Sequence, residues 1–93
     1  MLEAERQQID AIDREIVRLF EQRTRLVEDV ARVKLANQLP VLDAGREQLV
    51  IQKVQSYLQD SLLADDVEAL YIEIMRLSRQ HQEQWLSEQK TKR

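Results

Sequence analysis

The chain has 93 residues, with 14 Lys and Arg against 17 Asp and Glu, a net charge of −3, and no cysteine. Nucleic-acid and anionic-membrane partners need a basic surplus that is missing here, and without cysteine there is neither a disulfide framework nor a thiolate metal site. The single His81 is poor material for a histidine-built metal site.

The first ten residues, MLEAERQQID, are charged and lack the apolar run of a signal peptide. No stretch approaches the roughly 20 apolar residues of a membrane span. A cytoplasmic protein is therefore expected. With 33% charged and 43% hydrophobic residues the composition is globular, and one Gly and one Pro favour a few long helices. The expectation is one helical domain over residues 1–93.

Residues 9 to 33 carry an apolar seam: Ile9, Ile12, Ile16, Leu19, Leu26, Val30 and Val33 recur at spacings of three and four. This predicts a first helix from about residue 3 to about residue 36, roughly 50 Å long. So long a helix cannot be covered by the rest of a 93-residue chain, and a second subunit laid alongside would cover it. The position between Leu19 and Leu26 is Arg23, a cation set into the seam, and Lys34 follows about three turns later on nearly the same face. Buried cations require an anion to meet them.

Asn37 to Leu42 interrupts the pattern. Asn37 can end a helix, and Pro40 pushes Leu39 out of the helical region. Asp43 is placed to cap a second helix, with Leu49, Val50, Val54, Tyr57 and Leu58 on its apolar face and its end near Gln59 to Leu63. Asp65 followed by Glu68 resembles a capping box for a third helix, whose buried side takes Val67, Leu70, Tyr71, Ile74, Met75, Leu77 and Trp85. The polar tail SEQKTKR is expected to fray.

Polar groups stand where a core belongs: Arg23, Lys34, Ser78 and Gln82, with Arg46 and Glu47 just beyond the loop. Taken singly, each has a plain reading. Arg23 can snorkel to solvent, Lys34 suits the helix C-terminus, Asp43 is a cap, Arg46 and Glu47 can face water, and Ser78 with Gln82 can form a satisfied pair. Taken together they suit a small ligand with more than one carboxylate. No Ser-His-Asp or Cys-His set is present for covalent chemistry. Such a site can still catalyse by positioning a substrate and stabilising developing negative charge. Arg6 lies 28 residues before Lys34, roughly 42 Å along a straight helix, so the two can share a site only across a dimer. Alone, Arg6 reads as a surface charge.

At these residues the chain resembles the all-helical chorismate mutases, in particular the mutase domain of bacterial bifunctional aromatic amino-acid enzymes. The resemblance runs from Arg6-x-x-Ile9-x-x-Ile12-Asp13 through Arg23, Val30-x-x-Val33-Lys34 and Pro40-Val41-x-Asp43-x-x-Arg46-Glu47 to Ser78-x-x-x-Gln82. It implies an all-α fold of three helices per chain, one long first helix, and an intertwined homodimer with two equivalent sites. The implied reaction is the rearrangement of chorismate to prephenate, toward phenylalanine and tyrosine, without cofactor or metal. By position, Arg23 and the partner chain's Arg6 would bind the two substrate carboxylates, with Ser78 assisting. Lys34 and Gln82 would bind the ether oxygen. Glu47 and the backbone at Asp43 would hold the ring hydroxyl, with Arg46 completing the wall and Val30, Val41 and Ile74 as apolar lining. Gly45 departs from the pattern and loosens the first turn of the second helix.

Other readings stand beside this one. Isochorismate pyruvate lyase and a mutase acting on the amino analogue of chorismate are similar in fold. From another class comes a non-catalytic dimeric helical module for ligand sensing or interaction. Asp43 and the Arg46-Glu47 pair favour the mutase, because a carboxylate suits the ring hydroxyl.

Overall fold

The computed structural model describes residues 1–91 as α1 (Glu3–Ala36), α2 (Ala44–Ser56), a 3-10 turn (Ser61–Leu63) and α3 (Ala64–Thr91). The protein is all-α with three helices, as the periodicity predicts. Among the described residues no helix is long and apolar enough to cross a membrane.

The 34 residues of α1 follow Leu2, which stands at the cap position and supplies no side-chain cap, but Glu3 and Glu5 in the first turn and Lys34 in the last complement the helix dipole. The stop is a Schellman motif: the Leu39 N–H donates to the Lys34 carbonyl at 2.8 Å and the Gln38 N–H to the Leu35 carbonyl at 3.2 Å. The left-handed residue it requires is Gln38, at φ 57°, while Asn37 donates its side-chain amide to the Val33 carbonyl at 2.8 Å. The chain then reverses through Pro40, and the Asp43 carboxylate caps α2 by accepting from the Arg46 N–H at 3.0 Å. That cap fixes the first turn despite Gly45.

Two boundaries differ from expectation. Helix α2 stops at Ser56, before the expected Gln59 to Leu63, and Tyr57 with Leu58 belongs to the connection. The cap lies at Asp60, whose side chain accepts from the Leu62 N–H at 3.0 Å and starts the 3-10 turn that feeds α3. Asp65 therefore sits inside the first turn of α3, where its charge favours the N-terminus, and does not cap it. At the other end α3 runs on to Thr91 through most of the tail expected to fray; the last two residues lie outside the described part.

Helix α3 lies centrally, with α1 on one side and α2 on the other. Among the described residues Ala31, Ile51, Met75 and Gln82 are the buried ones, one from each outer helix and two from α3. The face of α1 turned to α3 is Arg23, Val27, Ala31 and Lys34, rotated by roughly 50° from the apolar seam at 3.6 residues per turn. Arg23 lies within the arc of the seam, where the seam overlaps the stripe that packs within the chain, and it meets Ser78 there at 2.6 Å. The seam itself stays open: Ile12, Ile16, Leu26 and Val33 are each more than half exposed, and so are Leu49, Tyr57 and Leu70, while Leu77 is one-third exposed.

These uncovered faces give a flat molecule of 57 × 28 × 14 Å with a radius of gyration of 16.6 Å. A compact domain of this length measures about 12 Å. The accessible surface is 7688 Å², against roughly 5,600 Å² for a compact monomer of this mass.

Candidate active site

The end of α1, the 39–42 loop, the start of α2 and the middle of α3 enclose a cavity of about 190 Å³. Arg23, Lys34, Asp43, Arg46, Glu47, Ser78 and Gln82 all line it, so seven of the eight residues singled out from the sequence converge there. The eighth, Arg6, lies near the far end of α1 and is not among the lining residues. Val30 and Val41 line the cavity as expected. Ile74 does not; its carbonyl accepts the Ser78 hydroxyl at 2.9 Å, one turn below the cavity.

Lys34 is held in place by two acceptors. Its Nζ donates to the Val41 carbonyl at 2.6 Å and to Gln82 Oε1 at 3.3 Å. An ammonium has three donors, so one remains for a ligand. The same contact identifies the Gln82 oxygen and leaves the amide NH₂ as a donor. Gln82 is 6% exposed, and its NH₂ has no protein partner among the described residues. A neutral donor and an ammonium are thereby fixed side by side.

On the next turn of α3 toward its start, Ser78 accepts from Arg23 Nη1 at 2.6 Å while donating to Ile74. This leaves the remaining guanidinium donors of Arg23 for an anion. Across the cavity, Arg79 Nη1 lies 2.6 and 2.5 Å from the two carboxylate oxygens of Glu47, an ion pair that joins α3 to α2. Asp43 spends its carboxylate on the cap, and Arg46 is exposed at the rim.

Sequence reasoning missed four of the lining residues: Val27, Val50, Met75 and Arg79. Arg79 is the informative one. It follows Ser78 directly and stands three before Gln82, but a lone cation on a helix normally faces water. Counted together, four cations and two carboxylates line the cavity, an excess of two positive charges. No group of three or more His, Cys, Asp or Glu suited to a metal ion occurs among the described residues.

A second ionic group ties α1 to α3 outside this cavity: His81 Nε2 lies 2.9 Å from Glu28 Oε1, which also accepts from Arg25 at 2.9 Å. The His81 hydrogen bond is the main cause that holds the Glu28 carboxyl below its ordinary value; burial, next in size, opposes it, and the Arg25 hydrogen bond and charge add to the lowering. Arg32 stacks over Trp85, 5.4 Å from the ring centre, and clamps the far end of the same helix pair.

Neither curated proteins nor solved structures yield a match to this chain. The family model for chorismate mutase type II matches residues 5–83, a span that includes all three helices' contributions to the cavity. The chain belongs to the chorismate mutase type II family.

Proposed function

We propose that the protein catalyses the rearrangement of chorismate to prephenate, a step toward phenylalanine and tyrosine, as a homodimer with two equivalent sites. The observation that carries this reading is the Lys34–Gln82 pair beside Arg23–Ser78 in one cavity with two surplus positive charges. A dicarboxylate matches that surplus.

The reaction is a unimolecular shift in which the ether C–O bond breaks as a C–C bond forms, so no nucleophile or proton acceptor is required. Negative charge grows on the ether oxygen along the way. The third donor of Lys34 and the NH₂ of Gln82 stabilise that charge, and because both are already fixed they need little reorganisation. Arg23, with Ser78 steadying its guanidinium, binds one substrate carboxylate bidentately. Glu47 accepts from the ring hydroxyl, the backbone at Asp43 supports it, and Arg46 closes the wall. Holding the substrate folded, with the two carbons to be joined close together, lowers the barrier further.

The second carboxylate falls to Arg6 of the partner subunit. Several features support a dimer. The seam from Ile9 to Val33 is uncovered, and the accessible surface exceeds that of a compact monomer by about 2,000 Å² per chain. An open trough along the side of α1 from Asp10 to Glu21 is bounded by that one helix alone. An association that buried this excess in both chains would fall in the range of obligate homodimers. Two first helices laid antiparallel would bring each Arg6 toward the middle of the opposite chain.

The test is to incubate the purified protein with chorismate and follow loss of the diene absorbance. Turnover by the wild-type protein, abolished in a folded Lys34→Ala variant, is the expected result. No turnover by a folded dimer would overturn the proposal.

A further inference from the structure

Arg79 is absent from every role described so far, yet it is one of the four cations on the cavity wall. Both oxygens of Glu47 lie within 2.6 Å of its Nη1, and the two side chains are 29% and 25% exposed. Among the described residues this is the one ion pair that joins α2 to α3. It crosses from the fourth residue of α2 to the middle of α3, directly over the cavity.

Two physical consequences follow. A glutamate side chain on the first turns of a helix rotates about three torsions, and a carboxylate meant to receive a single hydroxyl gains from being held in one of its rotamers. An unpaired carboxylate beside a doubly anionic ligand would also repel it, and Arg79 cancels that charge where it stands. The Asp43 carboxylate, by contrast, is already occupied by the α2 cap. Glu47 alone needs an external partner, and Arg79 supplies it.

We infer that Arg79 is a positioning residue of the site: it holds and neutralises the Glu47 carboxylate so that a ring-hydroxyl-bearing dianion can bind against it. The inference rests on the proposed mutase activity, deepening it at the hydroxyl end of the cavity.

A double-mutant cycle tests it. Arg79→Met should raise KM for chorismate about tenfold and lower kcat less than about threefold, since the contact is made to bound substrate and transition state alike. Arg79→Lys should recover most of the loss, because an ammonium still pairs with Glu47. In a Glu47→Gln background, Arg79→Met should change kcat/KM by less than about twofold, because the carboxylate it serves is gone. Circular dichroism and gel filtration confirm that each variant folds and associates as the wild type does. A folded, active Arg79→Met protein with unchanged KM overturns the inference alone. An equal loss in both backgrounds also overturns it, by showing that Arg79 meets the substrate directly. A wild-type protein that neither binds nor converts chorismate overturns the mutase reading, and this inference with it.

Discussion

Lys34→Ala removes the group on which the cavity is organised. Two acceptors lose their donor at once: the Val41 carbonyl at 2.6 Å and Gln82 Oε1 at 3.3 Å. Hydrogen bonds to a charged group are worth about 1.5–3 kcal/mol, and an acceptor left unsatisfied costs about 1–3 kcal/mol. Both contacts are only part-buried, so water can replace some of that, and we expect a net loss of about 1–2 kcal/mol. For a domain of this length each kcal/mol shifts Tm by about 4–8 °C, so a fall on the order of 10 °C follows. The catalytic effect is larger. Removing one preorganised donor from a developing oxyanion costs about 10²–10³ in kcat, and Gln82 here also loses the contact that orients its amide. The assay is loss of chorismate absorbance across a range of concentrations, beside a thermal melt. Most of the loss should lie in kcat, because the donor acts where charge develops. A folded variant with kcat within about threefold of wild type refutes the reasoning about the site. A raised Tm refutes the structural half, since it would mean that Lys34 is an uncompensated charge.

Three further outcomes follow from the same geometry. Mixing inactive Arg6→Ala and Lys34→Ala chains should restore about a quarter of wild-type activity, because half of the dimers formed are mixed and each mixed dimer holds one intact site; no recovery despite proven subunit exchange contradicts a shared site. Ile16→Asp sets a charge in the open seam, where Ile16 is 57% exposed in the single chain. It should shift the sedimentation of the protein to monomer and lower its helicity, since a chain with so small a core of its own is marginal; a stable dimer with this substitution counts against the seam as the contact. Glu28 has a folded-state pKa below its ordinary value, so its contribution to stability is present above the carboxylate range and is lost as pH falls through the lowered value. Wild type should therefore melt above Glu28→Gln at pH 7, with the gap closing below about pH 4; a gap that widens in acid reverses the sign and rejects the pair.

Much of this arrangement is legible in the sequence because α1 is long. A periodic series from Ile9 to Val33 covers most of the 34-residue helix and leaves little freedom in its bounds, and Pro40 marks where it must stop. The left-handed residue escapes such reading, since Gln38 takes a conformation that glycine or asparagine normally signals. The end of α2 is hidden for a similar reason: Tyr57 and Leu58 continue the apolar spacing, and no Gly or Pro marks the break before Asp60. Asp65 with Glu68 imitates a capping box, but the 3-10 turn from Ser61 runs straight into α3 at Ala64 and leaves Asp65 inside its first turn. Arg23, Lys34, Ser78 and Gln82 are found from their oddity as polar groups in apolar stripes, Arg46 and Glu47 from their place just past the loop, and Asp43 as the cap between them. Arg79 is not, because its meaning depends on α2 crossing α3 so that Glu47 stands opposite. That is a tertiary fact, and nothing in the spacing of either helix states it. Arg23 shows the reverse case: its oddity in the seam is legible, while its partner Ser78 follows only from the packing of α1 on α3.

The most direct measurement is to identify what becomes of chorismate. Proton NMR of a reaction run to completion, with a chelator present and no added cofactor, should show one product, an isomer of the substrate with both carboxylates retained, formed by wild type and not by Lys34→Ala. Pyruvate with a hydroxybenzoate, or unchanged chorismate in the presence of folded protein, would contradict the account.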